Sequence, residues 1–319
     1  MARKIALRGL LGLGALAVVA ALVYFAGAPA LIKWMSSGMP GGPRLVAGEG
    51  DYRGAESCAA CHPTEFSQWS QSLHSRAATE AHFEPRFQQL SWGMTREQCL
   101  NCHSPSPTLA EGVSCEVCHG PADTRKVVKD VCLACHETPG EGTQAMMSTP
   151  AEFLESTAHR EGKGCVDCHM RDPSGEVYHA FPGSRAAPDV YRGVAAIETI
   201  EQRRGRLLVT VRNKVTGHYL PTGAPENILF LEITGYDGQG EVAFEEEIRF
   251  EKRAYWFRNM PIWVRSDNRL RDGELREFVY YPPRPLSRVK ATLKIKPVLW
   301  NGERADTDVY SRERTFPSP

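Results

Sequence analysis

The chain has 319 residues, 38 Lys and Arg against 38 Asp and Glu, and a formal charge of zero. That length allows about two domains beside a targeting segment. The zero conceals an asymmetry: residues 51–183 hold 10 Lys/Arg and 18 Asp/Glu, whereas residues 184–319 hold 23 and 19. The first of these halves is therefore acidic, which argues against nucleic acid as a partner and for basic or neutral ones.

In chain order, the N-terminus comes first. Arg3, Lys4 and Arg8 precede 24 residues without a charge, Gly9 to Ile32, closed by Lys33. At about 1.5 Å per helical residue such a run spans a bilayer core of roughly 30 Å. The positive flank holds the N-terminus in the cytoplasm and sends the rest across. Residues 1–33 thus read as a retained single transmembrane helix. A cleaved signal peptide is the rival, since Ala26-Gly27-Ala28 and Ala28-Pro29-Ala30 resemble cleavage sites, but signal cores are usually ~7–15 residues long. Either way the body is exported. The expected location is the cytoplasmic membrane, single-pass, with the body on the periplasmic side. Residues 34–54, rich in Gly, Pro and Ser, read as a flexible tether.

Residues 55–183 contain every cysteine. All ten fall into five Cys-x-x-Cys-His motifs: Cys58-Cys61-His62, Cys99-Cys102-His103, Cys115-Cys118-His119, Cys132-Cys135-His136 and Cys165-Cys168-His169. Each reads as an attachment site for c-type haem. Two thiols that add to the two vinyl groups of one porphyrin must sit about one helical turn apart. The next residue then lies beneath the ring and offers an imidazole to iron. Zinc sites and disulfides also use paired cysteines, but neither requires His after the second. At this chain's His frequency, five such coincidences have a chance on the order of 3 in 10^8, so five covalently bound haem c groups are expected. Apolar periodicity is poor here, as befits an interior filled by porphyrins. Helices are predicted at 63–80, 84–91, 95–101 and 150–159.

Five histidines lie outside the motifs: His74, His82, His159, His179 and His218. Their number equals that of the sixth ligands five irons would need, so all five are candidate distal ligands, with His82 in the least distinctive frame. Met94 and Met170 are minor candidates for sulfur ligation.

Beyond residue 184 cysteine disappears and strand-like runs begin: Leu207–Arg212, Ile228–Tyr236, Val242–Phe250, Phe278–Tyr281 and Val289–Ile295. Asp237-Gly238-Gln239-Gly240 and Asp272-Gly273 supply turns. The expected fold is a mainly α, haem-packed domain with little regular structure over 55–183. A C-terminal β-sandwich-like domain over 184–319 follows and contributes His218. The stretch Tyr255-Trp256-Phe257…Trp263 reads first as core packing of that sandwich, with a docking face as the alternative.

Several segments resemble a superfamily of exported multihaem cytochromes c. It includes the tetrahaem cytochromes of ammonia oxidisers, pentahaem nitrite reductases and octahaem hydroxylamine oxidoreductases. The segments are Cys58–His74 with its Trp69-Ser-x-Ser-x-His74 tail, Cys115-Glu-Val-Cys118-His119-Gly120-Pro121, Cys165-Val-Asp-Cys168-His169-Met170 with His179, and Gly217-His218-x-x-Pro221-Thr222-Gly223. The resemblance covers about residues 55–225 and implies packed haems and multi-step electron transfer. The Cys-x-x-Cys-Lys site of the nitrite reductases is absent, because all five motifs end in His, and no catalytic residue is assigned. The leading expectation is an electron carrier between a quinol-oxidising membrane subunit or dehydrogenase and a reductase or another cytochrome. The alternatives are a reductase of a nitrogen or sulfur oxyanion at one open iron, with Arg76, His82, Arg86 or Lys163 nearby, and a filament-forming extracellular cytochrome.

Overall fold

The computed structural model describes residues 18–19, 53–80, 83–90, 95–106, 111–120, 131–138, 146–181, 191–215, 217–257, 260–296 and 307–317. The expected membrane span lies outside these residues apart from Val18 and Val19, which are helical and exposed. Among the described residues no helix is long and apolar enough to cross a membrane. The tether also lies outside them, apart from Arg53 and Gly54.

The first region is a succession of short helices: α1 (Ala55–Ala59), α2 (Pro63–Ser70), α3 (Phe83–Leu90), α4 (Arg96–His103), α5 (Cys115–His119), α6 (Leu133–His136), α7 (Thr149–Leu154), α8 (Thr157–Arg160) and α9 (Val166–His169). A two-residue antiparallel pair, β1 (Glu137–Thr138) with β2 (Met147–Ser148), interrupts them. Two of the predicted helices are shorter than expected. The run 63–80 is helical only to Ser70 and then turns, with Ser75 bonding back to the Ser70 and Ser72 carbonyls. The run 150–159 breaks at Glu155 because Ser156 caps a new helix, its hydroxyl accepting from the His159 amide at 3.1 Å. Serine competes with the helix for backbone hydrogen bonds, and that favours caps and turns over continuation.

The second region is β-rich. Strands β3 (Ala195–Arg203), β4 (Arg206–Asn213) and β9 (Leu275–Tyr280) form one antiparallel sheet in the order β3-β4-β9. Strands β5 (Ile228–Tyr236), β6 (Val242–Phe250), β10 (Arg288–Lys296) and β11 (Thr307–Thr315) form a second, in the order β11-β10-β5-β6. One hydrophobic core joins the two sheets: Ile197, Leu207, Val209 and Val211 from the first meet Leu229, Leu231, Ile233, Ala291, Leu293 and Val309 from the second. That is the layering of a sandwich. Central strand β5 reads as a nearly continuous apolar run and β10 alternates Val, Ala, Leu and Ile with Lys and Thr, and periodicity finds both patterns well. Edge strand β11 alternates Thr, Ser, Arg and Glu with few apolar residues, and the sequence reading passed over it.

Strands β7 (Lys252–Phe257) and β8 (Met260–Asp267) pair only with each other and stand apart from both sheets. Tyr255, Trp256 and Trp263 on this hairpin are exposed. The expectation that they pack in the sandwich core is therefore wrong.

A buried polar cluster joins the two regions. Arg269, 4% exposed, pairs with Glu152 of α7 at 2.7 Å and with Asp267 at 2.7 Å. Ser148 donates to Glu152 and receives a hydrogen bond from the Lys252 ammonium. Burial alone would raise the Glu152 carboxyl, but the Arg269 charge and hydrogen bonds from Ser148 and Thr222 hold it below the usual carboxylate range. Two cations and two carboxylates thus neutralise one another where a single buried charge would be costly.

Candidate functional site

Each Cys-x-x-Cys-His motif occupies one helical turn. In the first, the Cys58 carbonyl accepts from the Cys61 amide at 3.2 Å and the His62 amide at 2.9 Å. The fourth and fifth repeat this with Cys132 and Cys165 as acceptors. The second and third lie within α4 and α5. α4 begins with a reciprocal cap in which Thr95 and Gln98 satisfy each other's amides. One turn places the two sulfurs of a pair on the same face, with the imidazole beside them. All ten cysteines are free thiols in this structure. Among the described residues no group of three or more His, Cys, Asp or Glu converges as a metal site.

The motifs converge. The Cys58 thiol interacts with that of Cys115, Cys102 with Cys135, and Cys132 with Cys165. Cys118 lies in electrostatic range of both Cys132 and Cys135. The fourth motif therefore neighbours the second, third and fifth, and the third neighbours the first. Glu116, between the two cysteines of the third motif, helps to set this contact: its buried carboxylate accepts from the Arg53 amide at 2.9 Å and the Gly54 amide at 3.3 Å. This pins the entry to the first motif against the third. Burial pushes the Cys118 thiol up to about 11, and burial with Cys58 beside it pushes Cys115 up to about 12.

Three motif imidazoles face a histidine from outside the motifs. The ring centroids of His136 and His74, of His119 and His179, and of His169 and His218 are each 6.3 Å apart. A metal–imidazole bond is about 2.0 Å long and the ring centre lies about 1.1 Å further, so two imidazoles on opposite sides of one iron have centroids about 6.2 Å apart. The residues present thus fit a haem iron at three places. Burial, with His136 nearby, lowers the His74 pKa to about 4. Burial also lowers His119, His136, His179 and His218. A neutral imidazole keeps the lone pair that a metal needs. The Nδ1 atoms of His119 and His179 are buried without a hydrogen-bond partner in this ligand-free chain.

Local structure explains how the outer histidines are aimed. Trp69 donates its indole N–H to the Val113 carbonyl at 2.8 Å, and the His74 carbonyl accepts from the Val113 amide at 2.8 Å. Gly112, at φ 77°, lies so close that a Cβ there would stand 2.2 Å from the His74 carbonyl oxygen. The Phe181 ring meets His74 edge-on at 4.5 Å. The His179 amide donates to Gln68 of α2 at 2.9 Å. His218 sits in the Gly217–Gly223 loop, with Nδ1 3.1 Å from the Tyr219 carbonyl. Glu152 receives both the Tyr219 amide, at 3.1 Å, and the Thr222 hydroxyl, at 2.6 Å, so the buried cluster at the junction holds this loop.

The remaining histidines are placed differently. His103 offers Nδ1 to the Ala77 carbonyl at 2.9 Å and packs 5.1 Å from Phe83. His62 has Glu65 4.0 Å from Nδ1. Among the described residues His159 contacts the Phe153 ring, at 5.4 Å, and not a motif imidazole. His82 and Met94 lie outside the described residues. Sequence reading assigned no role to Glu116, Glu152 or Arg269. Glu116 could have been noticed as a carboxylate inside a motif. The partners of Glu152 and Arg269 are distant in sequence and left no local signal.

Two family profiles match the first region: "Cytochrome c554 and c-prime" over residues 57–120 and "Cytochrome c3" over residues 107–178. The chain is similar to cytochrome c-554 of Nitrosomonas europaea, with 26% identity over 97 residues. That match takes in 24% of this chain and 41% of the relative, so the chain spans less than half of that protein's length. In fold it is similar to a penta-heme cytochrome c552 from Thermochromatium tepidum, with a TM-score of 0.64, 19% identity, and coverage of 82% of this chain and 98% of the other. With five one-turn thiol pairs and three imidazole pairs at iron-spanning distance, the two profile matches support a multihaem c-type cytochrome with covalently bound haem c, and the structural match shows the fold.

Proposed function

We propose that this chain carries five haem groups, one on each motif, and passes electrons among them as a carrier. The observation that bears most weight is the trio of imidazole pairs at 6.3 Å. When bound, haem supplies a one-electron couple whose potential is set by its axial ligands and surroundings. The residues do the rest. Cys58, Cys61, Cys99, Cys102, Cys115, Cys118, Cys132, Cys135, Cys165 and Cys168 hold the groups. His62, His103, His119, His136 and His169 ligate from the motif side. His74, His179 and His218 would hold the irons of the His136, His119 and His169 motifs from the other, leaving His159 and His82 as candidates for the remaining two. The neighbouring motifs would give a branched route, with the fourth next to the second, third and fifth.

The oxyanion-reductase alternative needs uncompensated cations beside an open iron. Arg86 instead pairs with Glu226 at 3.3 Å and Lys163 with Glu161 at 3.0 Å. We place the protein on the periplasmic face of the cytoplasmic membrane, held by residues 9–32. There it would receive electrons from a quinol-oxidising subunit or dehydrogenase and deliver them to a reductase or another cytochrome. Mass spectrometry of the mature protein should show five haem additions, and the ferric protein should be low-spin at most or all irons. A clear high-spin signal with binding of nitrite, hydroxylamine or cyanide rejects the pure carrier in favour of the reductase. Release from membranes without detergent rejects the anchor.

A further inference from the structure

We propose that the β7–β8 hairpin is a docking arm for a second copy of this chain, and that it seats on the acidic haem-bearing region of that copy. A lone two-stranded ribbon is marginal in water. This one nevertheless turns large aromatic side chains outward: Tyr255 is 47% exposed, Trp256 45% and Trp263 54%. Tyr255 and Trp263 are cross-strand partners with ring centroids 5.6 Å apart, and the Arg265 guanidinium lies 5.7 Å over the Tyr255 ring. Trp, Tyr and Arg are the residues that most often dominate the energetics of protein interfaces.

Charge selects the occupant. Within residues 252–267, Lys252 and Asp267 belong to the buried junction cluster and Arg253 pairs with Glu251 at 2.6 Å, so Arg258 and Arg265 leave the arm a net cation. Residues 51–183 carry eight more acidic than basic residues. Two copies can therefore satisfy each other reciprocally, each arm on the other's acidic region, as a closed two-fold pair. A bilayer would also accept tryptophan and arginine. The base of the arm favours a redox-active occupant instead. Lys252 bonds Ser148, and Asp267 bonds Arg269, which holds Glu152 and through it the His218 loop. A protein seated on this arm is held beside an imidazole pair. That consequence rests on the electron-transfer reading, whereas the docking itself does not.

The test uses the full-length, haem-loaded protein in detergent. A benzophenone amino acid is placed at position 256, isotopically heavy and light copies are mixed, and the mixture is irradiated. The expected products are heavy–light dimers in which the arm is joined to residues 55–181. Their yield should fall about tenfold in the Trp263→Ala/Arg265→Glu variant and should also fall as salt is raised. Lipid or detergent adducts alone, cross-links confined to one chain, heavy–light links outside residues 55–181, or no cross-link at all would each overturn the proposal. The haem count and absorption spectrum of the same samples report on the electron-transfer reading separately, because the arm contributes no ligand.

Discussion

The two regions of this molecule are stabilised by different means. In the β region, residues such as Leu207, Leu229, Leu231 and Leu293 are fully buried against one another and make an ordinary hydrocarbon core. In the helical region the corresponding cluster is small: Val117 and Val131, with Val113 and Cys132 against them. Its helices are four to eight residues long, too short to persist alone. What they share is proximity of thiols and imidazoles. One region is organised by its side chains and the other by what its side chains hold.

The strongest way to test that contrast is to remove the thiols of the fourth motif. Cys132→Ala with Cys135→Ala should lose more than one haem by mass spectrometry, because these thiols neighbour three other motifs. The β-sheet circular dichroism should survive. Loss of a single haem with the rest unperturbed would break the comparison. The converse probe is Leu231→Ala. It should cost the β region ~2–5 kcal/mol in denaturant unfolding and leave the haem count at its wild-type value.

A finer probe is Gly112→Ala. The added carbon has no room beside the His74 carbonyl, so the loop must shift and carry His74 with it. One iron should then show a high-spin ferric signal while global stability falls by about 1–3 kcal/mol. An unchanged spectrum would show that Gly112 does not position His74.

Smaller effects belong to the junction. Glu152→Gln removes a buried negative charge that holds the His218 loop, so the potential of one haem should move upward while the others stay close to their wild-type values. A redox titration followed in the Soret band reads this directly. The same cluster has an acid limit. Burial would raise Asp267 and Glu152, but Arg269 holds both below their ordinary values. Their contribution is therefore present in full above about pH 4, the usual value of an unfolded carboxylate, and drains away as pH falls through the lower folded values. Thermal unfolding between about pH 5 and pH 2 should show this loss, and Arg269→Met should flatten it.

Much of this arrangement can be read along the chain, and the gaps have physical causes. The motifs announce themselves because two thiols and an imidazole must share one turn, and a single turn is local. Strands β5, β6 and β10 are clear because each is a long apolar or alternating run. The helix expected over 63–80 failed because serines at 70, 72 and 75 have backbone partners that propensity does not foresee. Strand β3 went unnoticed because Glu198, Thr199, Glu201 and Gln202 weaken its pattern. The pairing of His136 with His74 and of His119 with His179 spans about 60 residues each time, and no local rule reaches that far. Tyr255, Trp256 and Trp263 have the composition of a core segment and yet lie outward. Composition cannot distinguish a core from a contact surface.

The rings in each imidazole pair also differ in orientation. Their planes cross at 89° for His74 and His136, at 33° for His119 and His179, and at 19° for His169 and His218. Axial ring planes direct the half-filled orbital of a low-spin ferric centre. Crossed rings leave two orbitals nearly degenerate and the magnetism strongly anisotropic, whereas parallel rings separate them. On the proposed ligation, each of the three sites would carry its own magnetic label. During a reductive titration the paramagnetic resonances should vanish one at a time, and the order in which they go would rank the potentials of the three sites without a single substitution.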